Sequence, residues 1–334
     1  MLFILLVFIS IQSRSQQNEF YQRLSSLNYS ESLPVGILSS KTVVLVKVPP
    51  KSRNPEIRGN WFDLSTTIQK GLHKAGIDAV THYYIDDIFS GPEPYTAFLD
   101  AFDDRNLSHA AIVEYNGQKY SITLLKMTDR KFLIGTGQDA WKNTGSDLNE
   151  MLNSLYKQAA NSGLQKTNLL IIETPEYGQI INVVEGKRSE FYDLNLKSDL
   201  LAVPLTADTT NIAKVMNELY PFKWKFVSPE LTDKELLSQG FQFILYYVHS
   251  TGVSAKKLLK YPVSEKETAF ISETIIDKKS QVKTHEALSP VFKFYIKNTR
   301  RRNTYIGKRW DAGLSLEEGL ANYIHNLRNE LIPN

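Results

Sequence analysis

The chain contains no cysteine, and this absence limits how a protein of its length can be stabilised. Disulfide bonds, thiolate zinc sites, iron–sulfur clusters and cysteine nucleophiles are all excluded. The lipid attachment used by bacterial lipoproteins is excluded as well, because it needs a cysteine. The fold therefore depends on its apolar core. A chain of 334 residues with 42% hydrophobic side chains can build such a core for two domains of ordinary size.

The first residues differ from the rest of the chain. Leu2 to Ile9 is an unbroken apolar run, and a stretch of small and polar residues follows it up to Gln16. This order is typical of a secretory signal peptide. The run is too short to span a membrane, which takes about 20 apolar residues. We therefore expect residues 1–16 to be a signal peptide, with a buried or disordered N-terminal strand as the alternative. The mature protein is then expected to be soluble and periplasmic, or otherwise exported.

Two stretches of the chain follow the same order of predicted elements. In residues 36–162 and again in residues 198–332, the hydrophobic pattern predicts a βαβα segment, an antiparallel meander and a closing helix. The clearest local match joins Leu133-Ile134-Gly135 in the first stretch to Tyr305-Ile306-Gly307 in the second. We therefore predict an α+β fold of two tandem, related α/β sandwich domains.

Two shorter segments connect these units. Residues 17–35 are predicted to be an N-terminal linker. Residues 163–197 contain two apolar runs separated by Pro175 and Gly178, which predicts a hairpin that connects the domains.

The middle of the first unit resembles a known domain family. The stretch His109–Asp129 and the helix after Asp147 are similar to the N-terminal domain of the Tol–Pal translocation protein. They are also similar to the domains of curli-secretion and penicillin-binding-protein activator lipoproteins. In those families the domains are non-catalytic and mediate protein contacts, so the resemblance implies a structural or adaptor protein of the cell envelope. The Ser-Gln ending of the first segment resembles export signals common in Bacteroidota.

Signatures of catalysis are missing from the sequence. It has no His-Glu-x-x-His, no Gly-x-Ser-x-Gly, no phosphate-binding loop and no dinucleotide fingerprint. The six histidines are not paired at metal-ligand spacing, and the acid pairs Asp86-Asp87 and Asp103-Asp104 are predicted to face water or cap helices. We expect no catalytic residue, no metal and no cofactor. Two alternatives stay open: a glycan- or peptide-acting hydrolase with carboxylates between the domains, and a small-ligand-binding protein.

One dense group of basic residues follows a predicted strand, where the meander is expected to turn. Guanidinium groups bind carboxylates and phosphates in a bidentate manner, so this turn is a candidate contact for other envelope proteins or an anionic envelope surface. The alternative is a solvated turn. The mild net charge of +3 argues against a nucleic-acid partner, and no later apolar run predicts a transmembrane span. The candidate partner-binding residues are Arg300, Arg301, Arg302, Lys308 and Arg309, with Lys297 close in sequence.

Export predicts where the mature chain begins. Cleavage is expected after the small, polar segment, so that the first residue is near Gln16 or Gln17. N-terminal sequencing of the protein purified from its own cells measures this directly. An intact Met1 on cytoplasmic protein would contradict export.

Overall fold

The chain folds into two mixed β-sheets against which helices pack, and this confirms the predicted α+β class. The computed structural model describes residues 16–49, 61–168, 170–171, 173–178, 181, 184, 186–205, 209–264, 267–287 and 289–332. The predicted signal peptide lies outside the described residues, apart from Gln16, at which the first helix begins.

Nine α-helices are present among the described residues. They are α1 Gln16–Ser25, α2 Trp61–Ala75, α3 Ile85–Ile88, α4 Pro92–Asp104, α5 Leu148–Asn161, α6 Thr209–Leu219, α7 Asp233–Ser238, α8 Gly252–Leu258 and α9 Leu316–Leu331. The strands of the first half are β1 Asn28–Ser30, β2 Lys41–Lys47, β3 Asp78–Tyr84, β4 Leu107–Tyr115, β5 Tyr120–Lys126, β6 Asp139–Gly145 and β7 Glu176–Tyr177. Those of the second half are β8 Arg188–Ser189, β9 Leu200–Pro204, β10 Trp224–Val227, β11 Phe241–Thr251, β12 Ala269–Ile276, β13 Lys279–Glu286, β14 Pro290–Asn298 and β15 Thr304–Tyr305.

The first sheet has the strand order β1-β6-β5-β4-β2-β3-β7. Strand β2 lies between β3 and β4 and is parallel to both. Strands β4, β5 and β6 form the predicted antiparallel meander. The short strands β1 and β7 add to the two edges in parallel.

The second large sheet repeats this arrangement. Its order is β10-β9-β11-β14-β15-β8, and each strand has the direction of its counterpart in the first sheet. Six strands therefore match in order, namely β1 with β8, β2 with β9, β3 with β10, β4 with β11, β5 with β14 and β6 with β15. The duplicated unit is larger than predicted. We call residues 28–161 repeat 1 and residues 188–331 repeat 2.

The predicted linker is part of the folded unit. Residues 17–35 contain most of α1 and all of β1, and Phe20 and Leu24 of α1 are buried in the core. The apolar runs of the hairpin predicted in residues 163–197 fall partly outside the described residues, so the hairpin stays a prediction. Two short strands are described in this segment: β7 extends the first sheet beside β3, and β8 extends the second beside β15.

The two repeats differ from the predicted pattern in their details. Residues 129–133 form a turn before β6 in which Leu133 has φ +63°. The local sequence match does not join equivalent positions, since Ile134 precedes β6 whereas Ile306 follows β15. Repeat 2 further contains an insertion of α8, β12 and β13 at the place where repeat 1 has the tight turn between β4 and β5.

The central strands are buried on both faces. In β2, Val44 and Val46 pack with α2 and α5 on the outer face, whereas Val43 and Leu45 enter a core on the inner face. That inner core contains side chains from both repeats, from α1 and α4 as well as from α8 and β14. The two repeats therefore share one hydrophobic core between their sheets.

Polar contacts also join the two repeats. We call this contact the seam, in which residues 90–91 and α4 of repeat 1 meet β11 and β14 of repeat 2. Glu93 of α4 accepts hydrogen bonds from Tyr295 and Lys297 of β14, and both partners are buried. The backbone N–H of His249 donates to the carbonyl of Ser90 at 2.7 Å. Gly91 adopts φ +147°, and a Cβ there would lie 2.6 Å from the carbonyl oxygen of Tyr247. Only glycine allows the chain before α4 to approach β11 this closely.

We predict that Glu93→Gln destabilises the whole molecule. The substitution removes the negative charge that compensates Lys297, and breaking a buried pair from one side costs about 3–5 kcal/mol. Urea unfolding measures the free energy of unfolding, with Glu286→Gln at an exposed position of β13 as the matched control. Equal stability of the two variants would show that Glu93 does not hold the seam.

Candidate functional site

A crevice of about 670 Å³ lies at the carboxyl ends of β2, β3 and β4, the three central parallel strands of the first sheet. Open α/β sheets bind ligands in this position, because the strand ends and the loops that follow them form a cleft. Thr251 and Pro290 of repeat 2 also line it, so the crevice lies between the repeats.

A row of polar residues crosses the inner face of the sheet at this crevice. Lys47 of β2 is directly opposite Glu114 of β4, Glu114 is opposite Ser121 of β5, and Ser121 is opposite Thr144 of β6. Residues directly opposite each other point to the same face of a sheet, with neighbouring strands about 4.8 Å apart. Four polar side chains from four strands therefore lie side by side.

Lys47 is the cation at one end of this row. Its Nζ lies 3.1 Å from Oδ1 of Asp86, which follows β3 at the start of α3. Its ammonium also lies 4.7 Å from the ring centroid of Tyr21 on α1. The backbone oxygen of Asp86 accepts a hydrogen bond from Ser250 Oγ at 3.5 Å. Repeat 2 thus helps to position a carboxylate of the repeat 1 crevice.

Burial changes the acid–base behaviour of the groups around Lys47. Burial raises the pKa of Glu114, although the positive charges of Lys142 and Lys47 act in the opposite direction. Burial, and then the negative charges of Asp86 and Glu114, raise the pKa of Tyr21 well above its usual value. The Tyr21 hydroxyl is therefore protonated at neutral pH. Both this hydroxyl and Ser121 Oγ are buried and have no hydrogen-bond partner among the described residues.

Two aromatic rings divide the crevice from a second cavity. Tyr115 and Tyr120 stack with their ring centroids 4.4 Å apart, and both line the crevice and a neighbouring cavity of about 530 Å³. This cavity reaches the first turns of α2 and α5, where Asp63 and Asp147 lie.

The corresponding end of the second sheet is almost closed. On the inner face there, Tyr246 lies opposite Tyr295, and the cavity beside Tyr246 is only about 90 Å³. Pro92 of α4 lines this cavity, and Glu93 binds the Tyr295 hydroxyl. Helix α4 of repeat 1 thus occupies in repeat 2 the region that stays open in repeat 1.

The structure does not join the predicted basic residues into one cluster. Arg300 and Arg301 are exposed in the turn after β14, where Asn298 Oδ1 accepts hydrogen bonds from both backbone N–H groups. Arg302 lies in the same turn, and its Nε is 3.7 Å from Asp233. Lys308 is exposed, and Arg309 pairs with Glu273 on β12 at 3.3 Å.

Lys297 is not part of a basic surface either. It is buried against Glu93, because β14 ends in the seam between the repeats before its turn begins. The contact function of the exposed arginine turn stays a prediction.

The acid and histidine candidates have separate environments. Asp86 reaches the crevice, whereas Asp103 pairs with Arg130. His82 is buried, and its Nε2 lies 2.9 Å from Gln69 Oε1. Among the residues that the structure describes, no group of three or more histidine, aspartate or glutamate side chains could hold a metal ion.

Sequence reasoning missed Glu114 and Ser121. Each interrupts an otherwise apolar strand close to its end, and this is the signal that could have drawn attention to them. Their adjacency depends on strand order and register, which the sequence does not show.

Comparison with models of protein families, with curated proteins and with solved structures finds no match to this chain. The resemblance to the periplasmic domain family therefore stays a prediction. In the described part of the chain, no helix has the length and apolar character needed to cross a membrane.

The raised pKa of Glu114 predicts a pH dependence of stability. The folded protein holds this proton more tightly than the unfolded chain does. Folded stability is therefore lost as the pH rises from the ordinary glutamate pKa of 4.5 through the raised value in the folded protein. Glu114→Gln removes the titrating carboxyl group and with it this loss of stability. We therefore expect the melting temperature of the variant minus that of the unaltered protein to increase as the pH rises from about 4 to about 7. Calorimetric melting across this range measures the trend, with Glu286→Gln as the control. A flat difference would contradict it.

Proposed function

We propose that this protein is a non-catalytic binding protein of the cell envelope that holds a small polar ligand in the crevice of repeat 1. The observation that carries the proposal is the polar row Lys47, Glu114, Ser121 and Thr144, which lies at the carboxyl ends of parallel strands. Ligand sites combine a concave shape with a few convergent polar groups. The volume of about 670 Å³ is within the usual range for such sites.

The arrangement of the carboxylates favours binding over hydrolysis. A glycosidase needs one carboxyl group as an acid and a second as a base or nucleophile on the other side of the scissile bond. Here Asp86 forms an ion pair with Lys47, and Glu114 lies directly opposite the same lysine. Both carboxylates thus interact with one cation, which suits hydrogen bonding to a ligand better than opposed roles in bond cleavage.

The adaptor function expected from the sequence has less support. Among the exposed apolar side chains that would favour it, Ile271 and Val282 on the β12–β13 hairpin are 62% and 58% exposed. They share a strand pair with the exposed lysines Lys279 and Lys283. Charged lysines on an edge strand are a common means of preventing strand pairing with other chains. Adaptor function and location in the envelope therefore remain proposals that rest on the sequence.

The binding proposal predicts that one substitution blocks the crevice. Thr144 is exposed on its wall, and Thr144→Trp fills the space with an indole ring. The matched control is Thr284→Trp, which places the same ring at an exposed position of β13. Native mass spectrometry after dialysis against the small-molecule fraction of the organism's envelope extract measures the bound ligand.

We expect a ligand adduct on the unaltered protein and on Thr284→Trp, and at least a tenfold weaker one on Thr144→Trp. The recovered ligand should have the same mass before and after incubation. If both variants keep the ligand adduct, the proposal that the ligand binds in the crevice is wrong. A recovered ligand that has gained a water molecule would favour the hydrolase alternative.

A further inference from the structure

We propose that Lys293 and Asp311 react with each other and form an intramolecular amide bond between the lysine Nζ and the carboxyl carbon of the aspartate. Both residues belong to repeat 2 and neither lines the crevice, so this inference goes beyond the proposed ligand binding. It is carried by the contact of the two side chains, by their burial and by the hydrogen bonds around them.

The two groups meet in a part of repeat 2 that excludes water. The side chains of Lys293, on β14, and Asp311, between β15 and α9, are 0% and 1% exposed, and Nζ lies 2.7 Å from Oδ1. Because a C–O bond is about 1.2 Å long, Nζ is within about 4 Å of the carbon that it would attack. Reacting atoms in near-attack geometry are about 3–3.5 Å apart, so only a small movement is needed.

The contact differs from a well-formed buried ion pair. Lys293 Nζ donates hydrogen bonds to the backbone carbonyls of Phe294 and Ile306, at 3.1 and 2.7 Å. Its contact with Asp311 Oδ1 lacks hydrogen-bond geometry, and Oδ1 has no hydrogen-bond partner among the described residues. A buried carboxylate is stable only when its lone pairs are satisfied.

Burial also favours the reactive forms of both groups. Burial lowers the pKa of Lys293 and raises that of Asp311, although the charge of the other residue acts in the opposite direction in each case. An uncharged amine is nucleophilic, and an uncharged carboxylic acid accepts a nucleophile more readily than a carboxylate does. The site thus brings together the two forms that condense.

The neighbouring groups suit each step of the condensation. Lys293 Nζ bonds to Asp311 Cγ, and the bond between Cγ and Oδ1 breaks. Oδ1 leaves as water, with its own acid proton and one proton from Nζ, so no oxidant or other reactant is needed. Negative charge develops on Oδ2 in the tetrahedral intermediate, and Asn326 Nδ2 donates to this oxygen at 2.9 Å. The amide N–H that remains keeps the carbonyl of Ile306 as its acceptor.

Strand β12 holds the reacting groups in place. The backbone N–H of Ile275 donates to the amide oxygen of Asn326 at 2.9 Å, and Ser272 Oγ donates at 2.7 Å to the carbonyl of Ala312, the residue after Asp311. A chain without cysteine forms no disulfide. The amide provides a different covalent link, which joins β14 to the segment that leads into α9.

Mass spectrometry of the unaltered full chain tests the proposal without a substitution. We expect the intact mass to be lower than that of the sequence by one water molecule. Trypsin does not cleave after a lysine whose amine is blocked, so the digest should contain peptide 284–297 joined to peptide 310–328. Lys293→Met is expected to have the mass of its sequence and to yield these two peptides separately.

Lys283 and Glu318 are the internal control, because they lie only 2.5 Å apart while Lys283 is exposed to water. We expect no amide between them. An unaltered protein that has the mass of its sequence, and that trypsin cleaves after Lys293, would show that the buried pair does not react. Loss of ammonia in place of water, with Lys293 joined to Asn326, would overturn the assignment of the bond to Asp311.

Discussion

The contact of Glu93 with Tyr295 and Lys297 is the interaction on which the arrangement of the two repeats depends. It joins a helix of repeat 1 to a strand of repeat 2 inside a region that both sheets shield from water. An ionised carboxylate is stable there only with partners that neutralise it and satisfy its lone pairs. Because both partners belong to β14, α4 cannot slide along the second sheet without leaving a charge unpaired. The geometry of residues 85–91, and with it the position of Asp86, follows from this constraint.

The same contact explains why two copies of one unit have different strand ends. In repeat 2, α4 covers the region where a ligand would enter, and aromatic rings line what is left of the cavity. In repeat 1, Glu114 and Ser121 lie at the strand ends, beside a crevice that stays open. One end thus serves packing between the repeats, whereas the other keeps an open crevice. This difference between the two ends requires that the repeats stay joined, because α4, which covers the strand ends of repeat 2, belongs to repeat 1.

The sequence predicts the order of elements far better than their partners. Apolar periodicity located the helices and most strands of both repeats, because burial imposes that period locally. The pairing of β7 with the first sheet and of β8 with the second was not predicted, since pairing is a long-range choice that a local pattern does not encode. For the same reason Lys297 was grouped with the arginine turn rather than with Glu93, which is distant in sequence. The crevice was missed because Lys47, Glu114, Ser121 and Thr144 become neighbours only through strand order and register.

These long-range dependences also connect the crevice to the stability of the seam. Asp86 is held from one side by Lys47 and from the other by Ser250 of β11, and the preceding and following chain is fixed against the second sheet at Ser90 and Gly91. A shift of repeat 2 would therefore move a carboxylate of the repeat 1 crevice. Removal of Asp86 from Lys47 would leave that ammonium opposite Glu114 alone, and Glu114 already resists ionisation through its burial. The polar row thus depends on the docking of repeat 2, even though its four residues belong to repeat 1.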